Sequence, residues 1–148
     1  KSLDFLSYLF KINSVQINYK NESTSEIQIH LNEMVQVFIN LAKNSCDAMI
    51  EKNIENRVID IHTYEKEDYL YIEFEDNAGG IKKELHQRIF EPYFTTKIDM
   101  GGTGIGLYLC SLIMTQSFGG DIRVENIMNE TMCVGARFVL TFPKRRDV

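Results

Sequence analysis

Gly101-Gly102-Thr103-Gly104-Ile105-Gly106-Leu107 runs directly into the apolar stretch from Tyr108 to Met114. Glycines alternating with small residues leave backbone N–H groups bare, and a helix opening just after them turns its positive end toward the same space. Such a segment is a candidate phosphate cradle. Similar glycine strings also occur in ordinary turns and at the start of unrelated helices, so the reading depends on what else the chain carries.

Toward the C-terminus, a helix is expected from about Ile105 to Ser117, ended by Gly119-Gly120. Strands near Asp121 to Asn126 and Ala136 to Phe142 follow. On the other side, the pattern from Asp76 to Thr103 breaks into glycines, charges and a single proline, with one short helical stretch near Lys83 to Ile89. A connection this long inside a compact domain is often functional. Before it come strands near Arg57 to Tyr64 and Tyr69 to Glu75, joined by the charged turn Glu65-Lys66-Glu67-Asp68. Asn32 reads as the N-cap of a long helix reaching about Lys52. Val15 to Tyr19 alternates at period two and reads as a strand, and Glu26 to His30 as another, after the polar turn Asn21 to Ser25. Leu3, Phe5, Leu6, Leu9 and Phe10 have helical spacing. There are no repeats and no low-complexity segments. The expected architecture is a single α/β sandwich over residues 1–148, with helices on one face of a mixed sheet.

A chain of 148 residues, 44% hydrophobic and 11% aromatic, is sized for one domain with a real core. Its formal charge of −5 is offset by no basic block beyond Lys144-Arg145-Arg146, which argues against nucleic acid as a partner. Cys46, Cys110 and Cys133 are widely spaced and odd in number, which disfavours structural zinc and a disulfide framework and makes a reducing cytoplasm the simplest home. No run approaches the roughly 18 apolar residues of a membrane span, and no signal peptide is visible. No direct membrane contact is expected. A chain beginning at Lys1 rather than Met is expected to be a piece of something longer, whose parent could be membrane-anchored.

Three further segments carry chemistry. On the long helix, Gln36, Asn40, Lys43, Asn44 and Asp47 share an arc of roughly 100°, while Met34, Val37, Phe38, Leu41, Ala48 and Met49 fall on the remainder. So narrow a polar strip points side chains into a cleft, and the amide oxygen of Asn44 suits Mg²⁺, a hard cation that keeps waters and substrate phosphates. A solvated helix face is the plainer alternative. In Leu70 to Ile81, Asp76 shares the parity of Leu70, Ile72 and Phe74 and so points toward the core side at a strand's end. A carboxylate there needs a donor. The exocyclic amine of adenine would supply one, and Gly79-Gly80 would let a flat base approach the backbone. Alternatively, Asp76 caps the turn that follows it. In Ile89 to Lys97, aromatic residues would anchor a mobile loop and Lys97 could reach a terminal phosphate; taken alone, the segment reads better as a surface loop with a small packing cluster.

Taken in order, these segments resemble the ATP-binding catalytic domain of bacterial two-component sensor histidine kinases, in the superfamily that includes DNA gyrase, Hsp90 and MutL. The long helix is similar to the N box, Asp76 to Ile81 to the G1 box, Phe90 to Lys97 to the F box and ATP lid, and Gly102 to Leu107 to the G2 box. Gly119-Gly120, Ile122, Val124 and Gly135 to Pro143 resemble the closing strands, so the likeness spans nearly the whole chain. It implies a two-layer α/β Bergerat fold, with a mixed, mostly antiparallel sheet, helices on one face and a long ATP lid. It further implies that Asn44 coordinates Mg²⁺ and Asp76 binds the adenine amino group. Gly80 and Ile81 would line the base pocket, and the backbone around Gly102, Thr103, Gly104, Ile105, Gly106 and Leu107 would hold the phosphates. Asn40 would support the triphosphate or its metal shell, with Lys97 as a further phosphate contact. Asp47-Ala48 replaces the lysine and aromatic of many members and resembles the nitrogen-regulatory type, and Ala78 replaces a G1 glycine.

In hydrolysing relatives a glutamate stands four residues before the Mg²⁺ asparagine; here that position is Asn40. An amide accepts no proton at neutral pH, so phosphoryl transfer is favoured over hydrolysis. The acceptor implied is a histidine on a separate dimerisation domain of the same parent, which then phosphorylates a response-regulator receiver domain. His30, His62 and His86 lack the acidic helical context of that acceptor. The chain is thus expected to be a catalytic piece, monomeric in isolation and unable to phosphorylate itself. A regulatory module of the same fold that binds ATP without transferring phosphate is the alternative.

Overall fold

The apolar spacing along Met34, Val37, Leu41 and Met49 folds into one long helix, α1 (Leu31–Glu51). In a computed structural model, which describes residues 10–11, 13–23, 31–95 and 104–144, the other elements are five strands and one further helix. They are β1 (Val15–Asn21), β2 (Arg57–Lys66), β3 (Tyr69–Asp76), α2 (Gly106–Leu112), β4 (Asp121–Asn129) and β5 (Met132–Pro143). Val37, Leu41, Ala42, Ser45 and Met49 of α1 are wholly buried. Each large apolar side chain so buried contributes about 1.5–3 kcal/mol, which outweighs the modest helix propensities of Asn40 and Asn44. Helical backbone already begins at Leu31, so Asn32 lies inside the first turn and is not its cap; Glu33 complements the helix N-terminus there.

The strands form one sheet in the order β1-β2-β3-β5-β4. β1 and β2 run parallel, a pairing that needs a crossover, and α1 supplies it. The remaining pairs are antiparallel, as expected of a mixed, mostly antiparallel sheet. β2 runs past Tyr64 because Glu65 and Lys66 pair with Leu70 and Tyr69, and β3 runs past Glu75 because Asp76 pairs with Ile59. The turn then shrinks to Glu67-Asp68, with Glu67 at φ 58°. The inner face carries Ile59, Leu70, Phe74, Ile122, Val124, Phe138, Leu140 and Phe142, all buried. Helices pack there: Phe38 of α1 lies 6.5 Å from Phe74, and Phe118 meets Phe142 edge-on at 5.5 Å. Phe10 joins this core. The rest of the first helix expected over residues 3–10, and the strand expected over 26–30, lie outside the described residues.

The outer face is polar and aromatic. Arg137 pairs with Glu75 at 2.9 Å and Glu125 at 3.2 Å, and Tyr64 stacks on Tyr71 at 5.1 Å. Burial and a hydrogen bond to Glu73 push the Tyr64 hydroxyl up to about 12. A groove of about 460 Å³ lined by Glu22, His62, Tyr64, Glu65 and Glu73 lies toward the end of β2 remote from Asp76, whose partner on that strand is Ile59.

Two helical expectations change. The stretch near Lys83 to Ile89 is a pair of 3-10 turns, Lys83–Leu85 and Arg88–Phe90. No residue in either turn is fully buried, so no apolar face exists to sustain a regular helix. The helix expected to Ser117 is regular only to Leu112, then widens into a π-turn over Ile113–Ser117. There the Thr115 hydroxyl donates to the Ser111 carbonyl at 2.8 Å, competing for a backbone acceptor. Gly119, at φ 64°, ends the segment, and Gly120 N–H donates to Met114 O at 2.8 Å. Among the described residues no helix is long and apolar enough to cross a membrane.

Candidate functional site

Asp76 closes β3 on its buried face, 8% exposed. Its Oδ2 accepts from the Ser45 hydroxyl at 2.7 Å, and its Oδ1 from the N–H groups of Ala78 at 3.1 Å and Ala136 at 3.3 Å. A carboxylate offers about four acceptor positions. With three taken, the group is fixed in place and keeps capacity for one more donor. Ser45 was not singled out by sequence, yet a signal existed: it interrupts the apolar stripe of α1 between Leu41 and Met49. A serine there needs a buried partner. Ser45→Ala leaves Oδ2 without this donor and is expected to cost about 1–2 kcal/mol in urea unfolding. An unchanged midpoint and slope would show that the bond contributes nothing.

The loop after Asp76 carries two consecutive left-handed glycines, Gly79 at φ 85° and Gly80 at φ 79°. It is tied on every side. Gly79 N–H donates to Val134 O at 3.1 Å, and Lys52 Nζ to the carbonyls of Ala78 at 2.6 Å and Gly80 at 3.1 Å. Ile81 N–H donates to Asn126 Oδ1 at 2.9 Å while Asn126 Nδ2 donates to Ile81 O at 2.8 Å. Neither Lys52 nor Asn126 was legible as part of the site. A Cβ on Gly80 would stand 2.1 Å from Cys133 Sγ, so the glycine is required for space as well as conformation. Cys133 is half-buried, whereas burial pushes the thiols of Cys46 and Cys110 up to about 11 and about 12.

Among the described residues, the polar strip of α1 meets the glycine-rich segment through Asn40 and Gly106. Asn40 Nδ2 donates to Gly106 O at 3.2 Å, and Asn40 Oδ1 accepts from Gln36 at 3.3 Å. Asn44 and Asp47, one and two turns on, are half-buried on the same helix. Gly104 is left-handed at φ 73°, and a Cβ there would lie 2.4 Å from the Tyr93 carbonyl carbon; Tyr93 N–H donates to Gly104 O at 2.9 Å. This joins the end of the aromatic loop to the start of α2. Phe90 anchors that loop edge-on to Phe138 at 6.3 Å, and Arg88 lies 4.7 Å over the Phe94 ring. The structure therefore brings Asp76, Gly80 and Ile81 together at one end of the sheet, and joins Asn40 to Gly106 beside Gly104, Ile105 and Leu107. Lys97, Gly102 and Thr103, with part of the expected lid, lie outside the described residues.

A family model described as histidine kinase-, DNA gyrase B-, and HSP90-like ATPase matches residues 29–146. The sensor protein TdiS of Thauera aromatica is 34% identical over 145 residues, covering 96% of this chain and 25% of its own length. Sensor histidine kinase ZraS of Escherichia coli O157:H7 is 32% identical over 143 residues, covering 96% and 29%. The chain thus spans about a quarter of the length of these curated relatives. The solved catalytic domain of histidine kinase ThkA superposes with a TM-score of 0.77 at 27% identity, over 97% of this chain and 89% of that one. With the N-box helix, the Asp76 loop and the glycine-rich segment in their order on this sheet, the chain belongs to the histidine kinase-, DNA gyrase B- and HSP90-like ATPase family, as an ATP-binding catalytic domain of the sensor histidine kinase kind.

Proposed function

We propose that this domain binds Mg²⁺·ATP and donates the γ-phosphoryl group to a histidine on a separate dimerisation domain of the same parent protein, which then phosphorylates a response-regulator receiver domain. The observation that carries the binding half is the buried carboxylate of Asp76, held by three donors and able to take a fourth. The adenine amino group is that fourth donor, with Gly80 and Ile81 beside the base. Backbone amides between Gly102 and Leu107 surround the phosphates, and Lys97 adds charge to them.

The donors present fit Mg²⁺. Asn44 offers an amide oxygen one turn beyond Asn40, and Asp47 follows on the same helix. Mg²⁺ takes few protein ligands and completes its shell with phosphate and water. When bound, it neutralises charge on the phosphates. Asn40 supports transfer rather than hydrolysis. Both ends of its amide are engaged, with Gly106 O and Gln36, and an amide is no base for water.

Incubating the domain with γ-labelled ATP, Mg²⁺ and the parent's histidine-bearing dimerisation domain tests the reading. An acid-labile label on that histidine is expected. Nucleotide binding without any transferred label would contradict it and leave a non-transferring ATP module.

A further inference from the structure

β4 alternates buried Ile122 and Val124 with exposed Asp121 and Arg123, and Asn126 falls where the next inward side chain belongs. Its amide meets Ile81 as a strand would, accepting from Ile81 N–H at 2.9 Å and donating to Ile81 O at 2.8 Å. The His86 ring nitrogen lies 2.9 Å from the same carbonyl. Asn126 pairs across the ladder with Ala136, and Ala136 N–H donates to Asp76 Oδ1. One rung of the sheet therefore grips both ends of the Asp76 to Ile81 loop, the carboxylate at its start and the N–H and C=O of Ile81 at its end. From the opposite side Lys52 Nζ reaches two carbonyls inside the loop. The two left-handed glycines between these grips are conformationally permissive, and would otherwise sample many backbone arrangements.

We infer that Asn126, assisted by Lys52, is a positioning residue for base recognition: it holds the Asp76 to Ile81 loop in the shape that receives adenine, without itself touching nucleotide. This rests on the nucleotide reading above. The side-chain amide replaces a missing strand at the sheet's end, so loop order is supplied before the ligand arrives and binding loses less to ordering. Because the grip acts on the base end alone, its removal weakens ADP and ATP by the same factor. It raises KM for ATP in phosphoryl transfer without lowering kcat.

The test uses the whole domain with ADP and ATP, each with Mg²⁺, in calorimetry, and amide hydrogen exchange at Ile81. Asn126→Ala is expected to weaken both nucleotides about tenfold, an equal factor for each, and to speed Ile81 exchange while Ala78 stays protected. Lys52→Met alters an exposed residue, so it tests the same loop without threatening the fold; about threefold weaker binding of both nucleotides is expected. Affinities within twofold of the parent domain in both variants, with Ile81 exchange accelerated by Asn126→Ala, would overturn the inference while leaving nucleotide binding intact. Loss confined to ATP, with ADP unchanged, would also overturn it. A parent domain that binds neither nucleotide removes the reading on which the inference stands, and the inference with it.

Discussion

Asp76→Asn is expected to weaken adenine-nucleotide binding about 5- to 150-fold, equivalent to about 1–3 kcal/mol, while costing the fold only about 1 kcal/mol. The asymmetry follows from who donates to the carboxylate. Two of the three donors, Ala78 N–H and Ala136 N–H, are fixed backbone groups on Oδ1; the third is the Ser45 hydroxyl on Oδ2. An asparagine can keep its oxygen on the backbone pair and turn its NH₂ toward Ser45, whose hydroxyl rotates to accept. The bond between the two side chains is kept with its direction reversed, so the domain folds at a small cost. What disappears is the anionic oxygen with spare capacity, and with it the charge-assisted bond to the adenine amino group. Calorimetric titration with ADP, alongside urea unfolding, separates the two effects. Equal affinities would place the base elsewhere.

Gly135→Ala is expected to be strongly destabilising, costing about 3 kcal/mol and lowering the melting temperature by about 10 °C. A Cβ at Gly135 would stand 1.9 Å from the Asp76 carbonyl oxygen and 3.0 Å from its carbon. Both are backbone atoms in a sheet end that is fully packed, so no side chain can swing aside. Relief requires β3 and β5 to part at the point where Ala136 N–H grips the Asp76 carboxylate. Stability and nucleotide affinity should therefore fall together, in contrast to Asp76→Asn. Against a total of about 5–15 kcal/mol for a domain of this kind, the loss is a large fraction. A melting temperature within 2 °C of the parent in a thermal scan would show that the strands separate there at little cost.

The sheet and the long helix were legible because their apolar residues keep period two and period 3.6, and burial enforces both. Asp76 was found by the same arithmetic, sharing parity with Leu70 and Phe74. Asn40 and Asn44 were found as a polar strip on a helix that is otherwise apolar. The partners of these residues were harder to see. Lys52 and Asn126 bond to backbone carbonyls and an N–H lying 26 to 45 residues away. Backbone groups have no side-chain signature, so such a contact leaves no complementary residue to search for. Ser45 left a trace as a hydroxyl in an apolar stripe. The 3-10 turns were read as a helix because Leu85 and Ile89 fit helical spacing without enough burial to sustain it, whereas the π-turn, in which Ile113 and Met114 are buried, goes with the Thr115 hydroxyl competing for the Ser111 carbonyl. The roles assigned to Lys97, Gly102 and Thr103 rest on the family pattern alone, since these residues lie outside the described structure.

In the proposed function a buried carboxylate at the end of β3 selects adenine for a phosphoryl donor. Guanine carries a carbonyl where adenine carries its amino group, so Asp76 would face an acceptor instead of a donor, and the loss should be at least that of a missing charge-assisted bond. Parallel calorimetric titrations of the domain with Mg²⁺·ATP and Mg²⁺·GTP test this most directly. ATP is expected to bind and GTP to bind at least about tenfold more weakly, a preference that Asp76→Asn narrows. Equal affinity for the two nucleotides, or a preference that survives Asp76→Asn undiminished, would contradict it.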